Sequence, residues 1–120
     1  MDQYRHSPFD EEMLDAMIVF NENKPPSEKF TLIDARILSL VHSYTYANQT
    51  FFASNQYLAE KCFTTAPTIQ KSINKLYAHD LIDKNVSCAN GNKKRTLSYN
   101  EAGAKAFKKA NTKIKPDNYA

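Results

Sequence analysis

Glycine is nearly absent: two in 120 residues. A glycine-rich phosphate cradle is therefore a poor fit, because such loops need backbone freedom at several neighbouring positions. Cysteine is as sparse, and neither Cys62 nor Cys88 has another Cys or a His at metal-ligand spacing. The pair reads as two buried thiols in a reducing compartment. His6, His42 and His79 are widely separated, with no nucleophile or carboxylate pair beside them. No catalytic residue, metal site or cofactor is expected, and an enzyme is the least supported class. No apolar run approaches the roughly eighteen residues of a membrane span, and MDQYRHSPFDEEM lacks the basic start and apolar run of a secretory signal. The expectation is a cytoplasmic protein that does not engage membranes.

What is there looks like an ordinary single domain, with 42% hydrophobic and 24% charged residues. Its charge is uneven. Residues 1 to 23 carry six acidic groups against Arg5 alone, whereas the remainder holds fifteen Lys or Arg against seven acidic groups. A basic body with an acidic extension suits a protein that meets a polyanion with one side and something else with the other.

Three segments follow from the pattern: an acidic N-terminal helix and Pro-containing linker over 1–29, a central domain over 30–100, and a basic C-terminal helix and tail over 101–120. Ser7-Pro8 starts the first helix, with Phe9, Met13 and Met17 at near-helical spacing, and NENKPPSEK reads as the linker. Thr31 and Asp34 form a capping box before Ile33, Ile37, Leu40, Val41 and Tyr44, predicting a helix from about Leu32 to Tyr46. A brief strand is expected at Thr50–Ala53. Ser54 caps a helix from about Asn55 to Cys62, and Thr65 caps another from about Ala66 to His79, with Pro67 in its first turn and Ile69, Ile73 and Leu76 on one stripe. Asn90-Gly91 then marks a hairpin, because both turn residues need positive φ. Pairing across it sets Ile82 opposite Tyr99 and Val86 opposite Arg95. One face would collect Ile82, Val86, Cys88, Leu97 and Tyr99, and the tip would carry Lys93, Lys94 and Arg95. Gly103, Phe107, Ala110 and Ile114 predict a basic helix ending at Pro116.

Helix, short strand, helix, tight joint, helix, hairpin is the order of a winged helix-turn-helix, a mainly α fold with a small β-hairpin (α+β). The inward stripe of the third of these helices obliges Pro67, Thr68, Gln70, Lys71 and Asn74 to face out, where such a helix enters a major groove. Amides can bond adenine N6 and N7, and lysine can reach guanine or phosphate. These five are the candidate base contacts. Ser54, Asn55 and Thr65 at helix starts, Lys75, and Asn92, Lys93, Lys94 and Arg95 on the wing are the candidate backbone contacts on double-stranded DNA.

The stretch Phe30 to Tyr99 resembles the winged-helix domain at the N-terminus of plasmid and phage replication initiators of Gram-positive bacteria. The resemblance is carried by TLIDARILSLVHSYTYAN, FFASNQYLAEKC, TTAPTIQKSINKLYAHDLI and KKRTLSY. LSYNEAGAKAF resembles the strand-to-helix exit of MarR-type regulators, whose C-terminal helix often helps form a dimer. Where the family has glycine in the helix-turn-helix joint and before the Leu-Ile pair, this chain has Cys62-Phe63-Thr64 and Asp80. The resemblance implies a DNA-binding protein of a plasmid, phage or conjugative element, serving replication initiation or transcription regulation. A homodimer would favour half-sites about one helical turn apart. The alternative is a winged helix used for protein assembly, with the acidic N-terminal helix docking a protein partner.

Overall fold

The computed structural model describes residues 9–89 and 91–112. The Ser7-Pro8 start, the Asn90 turn residue and the segment beyond Thr112, with Ile114 and Pro116, lie outside the described residues.

Among the described residues, five α-helices and one antiparallel hairpin follow in order: α1 Leu14–Asn21, α2 Leu32–Tyr46, α3 Asn55–Lys61, α4 Ala66–Ala78, β1 Ile82–Ala89, β2 Asn92–Tyr99 and α5 Glu101–Ala110. A π-helical turn, Phe9–Met13, leads into α1, and a short 3-10 turn, Pro26–Glu28, interrupts the linker.

Local chemistry explains the boundaries. At α2 the predicted capping box is complete: Thr31 Oγ1 accepts from the Asp34 N–H at 3.2 Å, while Asp34 Oδ2 accepts from the Thr31 N–H at 2.8 Å. Ser54 caps α3 by accepting from the Tyr57 N–H. Asn100 caps α5 by accepting from the Gly103 N–H at 2.8 Å. The linker between α1 and α2 is closed by Asn21, whose side-chain amide donates to Phe30 O and accepts from the Phe30 N–H. The intervening chain is thereby held as one loop.

One continuous core unites all of this. Ile37, Leu38 and Val41 of α2, Leu58 of α3, Ile69, Ile73 and Leu76 of α4 and Leu81 before the hairpin are fully buried. Each such side chain contributes about 1.5–3 kcal/mol. Met13 and Met17 from the N-terminal segment and Ala104 and Phe107 from α5 join the same cluster, so both flanking helices are packed onto the winged body. Phe20, Phe30, His79 and Phe107 stack where α1, the linker, α4 and α5 meet, with ring centroids 5.0–6.3 Å apart.

The hairpin has the expected register, with Ile82 opposite Tyr99 and Val86 opposite Arg95. Its apolar face is shorter than predicted. Ile82, Leu97 and Tyr99 are buried at the base, but Val86 is 61% exposed and Cys88 is exposed too. The distal half of the wing projects past the body, so its inward-facing positions meet solvent. The expectation of two buried thiols therefore fails at Cys88. Cys62 is half-buried, and burial pushes its thiol above the usual range. The strand expected at Thr50–Ala53 shrinks to a single bridge, Phe51 to Leu97, because only Phe51 has a hydrogen-bonding edge to meet.

Among the described residues three joints outside the hairpin turn rely on left-handed backbone, Asn48 (φ 58°) after α2 being one. Asp80 (φ 58°) turns the chain from α4 into β1, and Phe63 (φ 53°) sits in the α3–α4 joint, at the two places where the initiator pattern has glycine. Phe63 is 96% exposed. With its ring in solvent the backbone strain is not compounded by a clash.

Candidate nucleic-acid interface

α4 buries Ile69, Ile73 and Leu76 completely, and this fixes what its other side presents. Pro67, Lys71 and Asn74 are exposed, and Thr68 and Gln70 are half-buried at the margin. Pro67 stands in the first turn, where its missing N–H costs little. Thr65 does not cap the helix through its side chain; its hydroxyl pairs instead with that of Thr68 at 3.1 Å. The first N–H groups of α4 thus lack a side-chain acceptor from Thr65.

Gln70 is held from both sides. Asn55 Nδ2, at the start of α3, donates to Gln70 Oε1 at 2.8 Å. Gln70 Nε2 donates in turn to Asn74 Oδ1 at 3.0 Å. Asn55 Oδ1 is buried without a hydrogen-bond partner. Three candidate contact residues thus form a single amide relay across the α3–α4 angle.

The wing lies beside the same corner. Phe52, Ala53, Ser54, Asn55, Lys93, Lys94 and Arg95 line an open cleft of about 470 Å³. Lys93 and Lys94 are exposed, and the Lys94 ammonium stands 5.6 Å from the Phe52 ring centroid. Asn55 belongs both to this cleft and to the relay, which joins wing and α4 into one surface. Asn92 pairs with Ala89 at the end of the ladder; its side chain lies outside the described residues.

Two predicted cations behave differently from the rest. Lys75 Nζ bonds Asp34 Oδ2 at 2.7 Å and Lys29 O at 2.8 Å. Its position one turn past Lys71 rotates it toward α2, where the Asp34 carboxylate is buried in the capping box. Lys75 is a clamp between α4, the linker and α2 rather than a free phosphate ligand. Arg95 donates from Nη2 to Ala53 O at 3.0 Å, and its Nε is buried without a hydrogen-bond partner. Burial lowers its basicity below that of a free guanidinium. Arg95 faces inward beside Val86 and ties the wing to the segment ahead of α3, rather than crowning the tip.

Two further residues that no sequence pattern marks border this surface. Phe52, 57% exposed, is an aromatic beside Lys94 and the α3 start. Lys24, in the linker, lines a cleft of about 620 Å³ with Lys71 and Asn74. The closed linker loop brings it there, and no periodicity could have located a loop lysine. Among the described residues no group of three or more His, Cys, Asp or Glu is placed to hold a metal ion, and no helix is long and apolar enough to cross a membrane.

No protein-family model matches the chain, and no curated protein matches it. A solved structure does: a point mutant of MepR from a multidrug-resistant S. aureus clinical isolate, which aligns over 91% of this chain and 78% of its own with a TM-score of 0.50 and 19% sequence identity. At that identity the likeness speaks to architecture alone, and the architecture, five described helices with a two-stranded wing, is an α+β winged helix.

Proposed function

We propose that the protein is a non-enzymatic, cytoplasmic, double-stranded-DNA-binding winged-helix regulator of transcription. The observation that carries this reading is the joined surface: Lys71 and Asn74 on the outer side of α4, Gln70 and Asn55 bonded behind them, and Lys93 and Lys94 on the wing across the cleft that Asn55 lines. α4 would enter the major groove with Pro67, Thr68, Gln70, Lys71 and Asn74 toward base edges. Lys93 and Lys94 would lie on the flanking backbone, and Ser54 and Thr65 at the helix starts would meet phosphate oxygens. Transcription control is preferred to replication initiation or a conjugative role because the LSYNEAGAKAF exit resembles that of MarR-type regulators; the likeness to MepR contributes the winged-helix architecture alone. The same MarR-type exit fits a homodimer reading a two-fold site.

Fluorescence anisotropy of a labelled duplex, titrated at several salt concentrations, tests the proposal. Each phosphate neutralised steepens log K against log salt by about 0.9. Lys71, Lys93 and Lys94 together predict a slope of about −3 per protomer. Binding without salt dependence, or no binding to any duplex, contradicts the reading.

A further inference from the structure

The relay has a direction, and the direction has chemical consequences for what Asn74 offers. Asn55 donates to Gln70, which donates to Asn74. Asn74 therefore has one lone pair of Oδ1 already engaged, whereas both N–H groups of its exposed Nδ2 remain for an outside partner. The buried end explains the polarity. Asn55 Oδ1 sits without a hydrogen-bond partner, which leaves one acceptor unsatisfied. Rotating that amide would bury an NH2 with two donors in its place and set two carbonyl oxygens, Asn55 Oδ1 and Gln70 Oε1, against each other. Leaving buried donors unmade is the costlier arrangement.

We propose that Asn55 acts as a positioning residue that sets base preference through Gln70, turning Asn74 so that it presents hydrogen-bond donors to the groove. The inference rests on the DNA-binding reading above and deepens it. Major-groove edges differ by this criterion: guanine shows N7 and O6 acceptors and thymine an O4 acceptor, cytosine shows the N4 donor alone, and adenine shows an N7 acceptor beside its N6 donor. A donor-presenting Asn74 selects guanine or thymine over cytosine on the strand it faces, and adenine, which carries both kinds of group, is not decided by this criterion. Asn55 itself need not touch DNA for this effect. Its side chain acts two hydrogen bonds away.

Reversing the relay should reverse the choice, and two substitutions do so by different atoms. In Asn55→Asp the carboxylate can only accept, so Gln70 turns its Nε2 toward residue 55 and its Oε1 toward Asn74. Asn74 then donates inward and shows Oδ1 outward. In Gln70→Glu one carboxylate oxygen keeps the bond from Asn55 and the other accepts from Asn74, with the same result. Either new charge weakens binding to every duplex alike, and comparison among bases within one variant removes that common factor.

The experiment selects bound sequences from a random duplex pool with the wild-type chain, Asn74→Ala, Asn55→Asp and Gln70→Glu, after circular dichroism has shown which variants are folded. Asn74→Ala identifies the base position that Asn74 reads, by loss of preference there. At that position the wild-type preference for guanine or thymine over cytosine, about 5- to 100-fold for a well-made contact, is expected to invert in the folded relay variants. Two variants keep the test open should one fail to fold. A folded variant that retains the wild-type preference, or merely flattens it, overturns the relay while leaving DNA binding intact. A wild-type chain that enriches no sequence and binds no duplex overturns the DNA-binding reading itself, and the relay with it.

Discussion

Lys71 and Lys75 stand one turn apart on α4, and a helical wheel places them on neighbouring faces. The structure separates them by partner: Lys71 is exposed, whereas Lys75 is bonded to the buried Asp34 carboxylate and to the Lys29 carbonyl. Lys75→Ala would strand that carboxylate, so a loss of about 3 kcal/mol is expected in denaturant unfolding, with the salt slope for DNA unchanged. Lys71→Ala should do the reverse, reducing the slope by about 0.9 and leaving stability within about 0.5 kcal/mol. The difference could not be read from spacing, because it depends on where the loop before α2 delivers Asp34. Phe63 is a second residue whose role is backbone. Phe63→Gly removes a left-handed strain of about 1–2 kcal/mol against a glycine entropy cost of about 0.5–1 kcal/mol, so a small rise in melting temperature is expected.

At the scale of elements, packing between helix ends decides much of the stability. The N-terminal turn of α5 crosses the end of α4 so closely that a Cβ on Gly103 would collide with the Asp80 carbonyl. Gly103→Ala should therefore destabilise the chain by at least about 2 kcal/mol, despite alanine's better helix propensity; calorimetry would show it. His79, at the α4 C-cap, lies among Phe20, Phe30 and Phe107. Burial is the chief cause that lowers its pKa below the ordinary 6.5, Lys75 and Lys24 push the same way, and Asp80 and Asp34 oppose them. The unfolded chain then binds the proton more readily than the folded one, so this contribution to stability is present above about pH 6.5 and is lost as pH falls through the folded value. Urea midpoints measured on either side of that range should fall on the acid side, and His79→Phe should reduce the difference. The α2 to α4 helices and the hairpin register were legible because capping residues, 3.6-residue stripes and the Asn-Gly turn are local signals. The wing's inner face was not. Period-two alternation marks Val86 and Cys88 for burial just as it marks Ile82, and only the reach of the body shows that the outer half of the hairpin has nothing to pack against. The exposed side of α4 was likewise readable from the isoleucine stripe. Its hydrogen bonding was not, since Asn55 and Gln70 are fifteen residues apart and meet only through the angle between two helices.

Over the whole molecule, the packing that buries Ile69, Ile73 and Leu76 leaves the opposite side of α4, together with the wing, as the surface proposed to face a duplex. The acidic N-terminal helix is spent on the core through Met13 and Met17, so it is not expected to contribute to the DNA-facing surface. Amide chemical-shift mapping on a nitrogen-labelled chain, with duplex DNA added stepwise, tests this most directly. The predicted shifts cluster at 54–55, 65–74 and 91–95 while α1 and α5 stay still; shifts concentrated on α1 and α5, or none at saturating duplex, would contradict it.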